Sequence, residues 1–237
     1  MRLFRYLIIV ATVVAVTFLA NFVLSSCAAE QARQRMMPQQ IVDNASDKTQ
    51  ALKYVYFRLE TTGGKMSVSP GVDLYNVEGD VASPGRIHIT TKADFSGSVV
   101  DIDLISIGGK QYMRNSLTRQ WDVLPVPFAP SNLFAPDTGA ASIVRSARNL
   151  SKLDDESVDG APSYHLKGTA DSAAVASLIG GTPSGSPVQV EAWIGTGDFV
   201  VRQIRLEGAM LKDDSPKTVR LLKLSKFNEP VTIEPPT

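Results

Sequence analysis

The stretch Val188-Gln189-Val190-Glu191-Ala192-Trp193-Ile194-Gly195-Thr196-Gly197-Asp198-Phe199-Val200-Val201-Arg202-Gln203-Ile204 decides the fold. Val188, Val190, Ala192 and Ile194 alternate with Gln189, Glu191 and Trp193, the period of a strand with one apolar and one polar face. Gly195 to Asp198 then makes a loop too short to join parallel strands, so the two arms form an antiparallel hairpin. Downstream, residues 199–210 and 218–227 read as two long strands split by a turn at 212–216, and Val231 and Ile233 as a short final strand.

The same alternation recurs upstream. Val55, Phe57 and Leu59 alternate with Tyr56, Arg58 and Glu60. After a weak pattern at Val72 and Leu74, Ile87 and Ile89 alternate with Arg86, His88 and Thr90, and Val100, Ile102 and Leu104 with Asp101 and Asp103. Gly63-Gly64, Pro84-Gly85 and Gly108-Gly109 mark the turns, and residues 112–115 and 121–124 extend the meander. Between the two meanders lies a proline-rich loop from Pro125 to Pro136. Two amphipathic helices are expected near 137–150 and 171–180, capped by Asp137 and Asp171, with Gly180 as a stop. They flank a short strand around Tyr164-His165-Leu166, and another helix is expected at 39–52, opening near Pro38. The expected class is α+β: a strongly curled antiparallel sheet of about ten strands, a half-barrel, with helices covering its concave face.

The N-terminus locates the chain. Arg2 and Arg5 precede an almost wholly apolar run, and Leu24-Ser25-Ser26-Cys27 follows it, Cys27 being the only cysteine of the 237 residues. A charged head, an apolar middle and small residues before a cleavage point are the shape of a secretory signal. The stretch is similar to a bacterial lipobox, in which Cys27 would be lipidated. The alternative is an uncleaved membrane anchor, since the run approaches the roughly 20 residues that cross a bilayer. Both readings place the rest of the chain outside the cytoplasm on a membrane. The expected organisation is a signal peptide at 1–26, the lipidated cysteine and a tether at 27–37, and one domain at 38–237.

Composition excludes several functions. The 24 basic and 24 acidic residues balance, which gives no electrostatic reason to bind nucleic acid. With Cys27 used as the anchor, no thiol remains for a disulfide or a thiolate metal site. His88 and His165 have no ligand set beside them, so no metal and no cofactor is expected. Asp101 and Asp103 lie on one strand face about 6.6 Å apart by strand rise, within reach of a glycosidase pair. Alternating carboxylates on a strand are more simply its solvated side. No Gly-x-Ser-x-Gly elbow is present, and the expectation is a protein that is not an enzyme.

The hairpin at 193–204, with Tyr164-His165-Leu166-Lys167-Gly168 and the ending Phe227-Asn228-Glu229-Pro230-Val231-Thr232-Ile233, resembles the actinobacterial LppX/LprA/LprF/LprG lipoproteins. That resemblance spans about residue 38 to the end. It implies a half-barrel closed by helices around a large apolar cavity, similar to the LolA/LolB carriers. It also implies a function, carrying an acylated lipid or lipoglycan across the cell envelope, with the membrane and an envelope lipid exporter as partners. Strand parity assigns the cavity wall to Val55, Phe57, Leu59, Ile87, Ile89, Val100, Ile102, Leu104, Val190, Ala192, Ile204 and Leu206, with the helices at 137–150 and 171–180 as a movable lid. Two readings stand beside this one: an anchored structural or interaction module without lipid cargo, and an envelope hydrolase, which needs a polar cluster inside the pocket.

Overall fold

A computed structural model describes residues 36–69, 71–95, 97–124, 139–179 and 181–236. Residues 38–237 form one compact unit. The signal, Cys27, nearly all of the tether, the proline-rich loop, Asp137 and Gly180 lie outside the described residues. No helix among the described residues is long and apolar enough to cross a membrane.

The first helix, α1 (Pro38–Gln50), buries Ile41, Val42, Ala45, Ser46 and Thr49, a single stripe at helical spacing. The first meander follows as β1 (Tyr54–Thr62), β2 (Met66–Ser69), β3 (Val72–Ala82), β4 (Arg86–Phe95), β5 (Ser98–Ile107), β6 (Lys110–Arg114) and β7 (Trp121–Val123). Next come helix α2 (Ala140–Ser146), β8 (Arg148–Lys152), β9 (Glu156–Val158), β10 (Ala161–Asp171) and helix α3 (Ser172–Ile179). The chain ends in β11 (Pro187–Gly195), β12 (Val201–Glu207) and β13 (Val219–Ser225).

All these strands join one antiparallel sheet in the order β7-β6-β5-β4-β3-β1-β13-β12-β11-β10-β8, with β2 on the edge of β3 and β9 on that of β10. The path ends at β7 and β8 without joining them, so the sheet is a curled half-barrel rather than a closed one. Its centre is the pairing of the first strand with the last, from Tyr56 opposite Ser225 to Thr62 opposite Val219. Curvature has local causes. Register shifts interrupt β3/β4 between Leu74 and Val77 and β10/β8 between Lys167 and Thr169, and such bulges bend a strand and tighten its twist. Gly79 lets β3 close on β4, for a Cβ there would lie 2.0 Å from the His88 carbonyl oxygen.

The helices pack on the second half of the sheet: α1 against β8 and β12, α2 against β10 and β12, and α3 against β10. Arg145 of α2 donates to Ser46 of α1, and the Val201 N–H of β12 donates to Thr49 of α1 at 3.1 Å.

Several expectations need correction. The helix expected over 137–150 ends at Ser146, because 148–152 pairs with β10 as a strand and Ala147 is already extended. The short strand around Tyr164 is eleven residues long. The final strand at 231–233 does not form. Instead Ile233 is buried, and its carbonyl accepts a 2.7 Å hydrogen bond from Arg86. The Asp171 cap is present, its carboxylate accepting from the Ala173 N–H at 2.8 Å.

Candidate functional site: one apolar face

Residues directly opposite in an antiparallel pair share a face, so register alone traces the inner surface. One row runs Ile102, Thr91, Val77, Leu59, Leu222, Ile204, Ala192, Leu166, each the direct partner of the next, across eight strands from β5 to β10. Its one polar member, Thr91, donates its hydroxyl to the Asn76 carbonyl at 2.9 Å. A parallel row carries Leu104, Ile89, Gly79, Phe57 and Leu224. Val55 and Ile87 are joined through Val81, Val100 lies beside Ile102, and Val190 sits opposite Leu206.

All twelve residues assigned from strand parity therefore stand on one face. Ten are buried, and Leu59 and Val100 are half-buried. Parity missed Val77, Val81, Leu222, Leu224 and Leu166 on the same face. In β13, Leu221 and Leu222 are neighbours, so alternation could not say which points inward. The buried Leu224, two residues on, would have fixed it.

The inner face has a polar end. On β13 the apolar order Leu224, Leu222 gives way to Arg220, with Thr218 just ahead of the strand, and Arg220 lies opposite Thr61 of β1. Arg220 is wholly buried. It reaches the Asp214 carboxylate through both terminal nitrogens, at 2.5 and 2.8 Å, and the Lys65 carbonyl at 3.3 Å. Asp214 also accepts from the Met210 and Leu211 N–H groups, fixing the β12–β13 connection. Nothing in the sequence distinguished this arginine from the exposed ones on neighbouring strands.

The outer face is polar and ion-paired. Asp101 accepts from Lys92 at 2.7 Å, and this hydrogen bond holds its carboxyl below the usual range. Asp103 contacts His88 at 2.7 Å and Arg114 at 3.9 Å. The two carboxylates that could have served a hydrolase thus face away from the apolar wall and engage basic partners. His165 stacks on Trp193 at 4.3 Å and lies 3.2 Å from both Glu156 and Glu191. Tyr56 donates to Glu78 at 2.7 Å. Burial, then this hydrogen bond, pushes its phenol up to about 12. A cleft of about 480 Å³ is lined by Arg58, Glu78, Asp103, Arg114 and Arg119 from this side and also by Thr91 and Ile102 of the inner row. Among the described residues no three His, Cys, Asp or Glu side chains are grouped to hold a metal.

Fold and site together define a scaffold built around one largely apolar surface, ended by the buried Arg220–Asp214 pair, with most other ion pairs on the opposite face. The chain belongs to the LppX_LprAFG lipoprotein family, whose model matches residues 37–233. The lipoarabinomannan carrier protein LprG of Mycolicibacterium smegmatis is 23% identical over 205 residues, spanning 83% of this chain and 81% of that one. Two solved structures share the fold at 17% identity. LprF from Mycobacterium bovis has a TM-score of 0.66 over 84% of this chain and 96% of the other. The lipoprotein LppX of Mycobacterium tuberculosis has 0.61 over 83% and 98%.

Proposed function

We propose that this protein is an extracytoplasmic lipoprotein, anchored through Cys27, that holds the acyl chains of a lipid or lipoglycan against its inner face and carries them across the cell envelope. The observation that carries the reading is the row from Ile102 to Leu166, whose only polar side chain already has its hydrogen-bond partner. Each methylene in water costs about 0.8 kcal/mol. A chain of ~16 carbons therefore faces about 13 kcal/mol in an aqueous gap, and a dry aliphatic wall offsets most of it. The naming of the relative LprG as a lipoarabinomannan carrier supports the cargo class. The protein works by binding, with α2 and α3 as the elements that yield to admit a chain.

The test is native mass spectrometry of the full chain recovered from bacterial membranes, with extraction of any adduct. An acylated lipid in addition to the Cys27 anchor is expected, and it is lost in Val100→Lys and Leu59→Lys, both at half-buried wall positions. A folded protein with no adduct, even after incubation with envelope lipids, would overturn the reading.

A further inference from the structure

The outer face changes character at one edge of the sheet. Ile105, Tyr112 and Val123 oppose one another directly across β5, β6 and β7, on the side of His88 and away from the apolar wall. Trp121 shares that side, opposite Arg114. Ile105, Tyr112 and Trp121 are half-buried, Val123 is 61% exposed, and among the described residues no strand lies beyond β7. Leu117, at the tip of the β6–β7 hairpin, is 91% exposed. The tip is hydrogen-bonded in place. The Asn115 side-chain oxygen accepts from the Leu117 and Thr118 N–H groups, each at 3.0 Å, and the Asn115 N–H donates to the Gln120 carbonyl at 2.8 Å. A leucine is thus held out into water.

Charge follows the same side. Residues 110–124 hold three basic side chains, Lys110, Arg114 and Arg119, and one acidic one, Asp122. Lys110 and Arg114 alternate with Tyr112 and share its side, whereas Asp122, between Trp121 and Val123, takes the other. On β5 the outward carboxylates Asp101 and Asp103 are already engaged by Lys92 and His88. Tryptophan and tyrosine beside aliphatics, flanked by basic groups, is the chemistry of a membrane interface: the rings sit at headgroup depth, and Lys and Arg meet anionic lipid. A membrane is also close at hand. Ten residues, 28–37, join Cys27 to α1, at most about 35 Å of chain.

We propose that the outer side of the β6–β7 hairpin docks on the anionic surface of the membrane to which the chain is anchored, with Leu117 and Trp121 entering to headgroup depth. The inference rests on the anchoring part of the functional reading and not on the cargo. It adds a second contact, which fixes the side of the domain that meets the bilayer, as one covalent point does not. The contact reaches headgroups and the first carbons of the chains, not the chain ends.

The experiment reads the two tryptophans of the chain separately. Trp193, on β11, is buried. The full chain recovered from bacterial membranes is placed in vesicles of phosphatidylcholine and phosphatidylglycerol whose chains carry a doxyl quencher at carbon 5, and flotation reads attachment. Trp193→Phe isolates Trp121, and Trp121→Phe isolates Trp193. At interfacial depth, Trp121 emission should fall about twofold or more, and Trp193 emission by less than about a fifth. In Leu117→Asp with Val123→Asp, both at exposed positions, Trp121 should lose that quenching while the protein still floats. Lys110→Glu with Arg119→Glu, which leaves the apolar side chains in place, should do the same. Trp121 no more quenched than Trp193, in protein that floats, overturns the docking and leaves the anchor intact. So does quenching unaltered in both variants. A dimer in native mass spectrometry that Val123→Asp splits also overturns it, making a second copy the occupant. Protein that does not float overturns the anchor and the docking with it.

Discussion

Phe57, in the first strand of the sheet, sits directly opposite Leu224 in the last, and both are buried on the inner face. The two meanders, separated by the whole helical region in sequence, are joined along this line. Truncating either side chain leaves a cavity where the two halves meet, and Phe57→Ala or Leu224→Ala should each cost about 3 kcal/mol. Denaturant unfolding checks this, and a double-mutant cycle should show coupling between the pair. A loss under about 1 kcal/mol for both would mean that the halves are held together elsewhere.

Gly79 occupies the Phe57 row and has no room for a side chain. Gly79→Ala should destabilise the fold by about 1–3 kcal/mol, because the added methyl meets the backbone of His88 rather than a side chain that could turn away. Ala at exposed Gly197, where a Cβ meets nothing within 4 Å, is the control and should change stability by less than about 0.5 kcal/mol.

Asp214 should matter far more than its neighbour. Asp214→Ala strands the wholly buried Arg220 charge and frees the Met210 and Leu211 N–H groups, a loss of about 3–5 kcal/mol. Asp213→Ala, at an exposed position, should stay within about 0.5 kcal/mol. Unfolding midpoints of the two variants side by side decide it.

Tyr56 supplies a pH signature. The fold holds its phenol protonated up to about 12, against a usual value near 10. Its contribution to stability is therefore whole below about pH 10 and is lost as pH rises through the folded value. The difference in phenolate absorbance between the protein and Tyr56→Phe should show a transition centred near pH 12. A transition near pH 10 would contradict the burial of the phenol and its hydrogen bond to Glu78.

Much of the inner face was legible because alternation is enforced wherever one side of a strand is buried. Val55, Ile89, Leu104 and Ile204 follow from that rule alone. It failed where the backbone departs from period two. The bulge between Leu74 and Val77 blurred β3, and the adjacent Leu221 and Leu222 blurred β13. The hairpin between β9 and β10 was missed although Asp159-Gly160 carries a strong turn signal. Both residues have positive φ, 49° and 81°, as a two-residue hairpin loop with a matching twist requires. The helix expected as far as Leu150 fails for a tertiary reason. Leu150 continues the apolar stripe in sequence, but an open edge of β10 at Leu166 to Thr169 recruits that segment as a strand. The Arg220–Asp214 pair was invisible, since an arginine two residues from Leu222 reads as surface until the connection from β12 folds over it.

The central claim, that acyl chains lie against the inner face, is tested most directly by photo-crosslinking in intact bacteria. Cells making the full chain are fed a fatty acid with a diazirine near its end and irradiated, and the modified peptides are mapped. Modification should fall on peptides carrying inner-face residues such as Phe57, Ile89, Ile102 and Ile204, apart from the anchor expected at Cys27. Modification confined to the Cys27 peptide, or spread over outer-face positions such as Lys92, Asp101 and Arg114, would contradict the account.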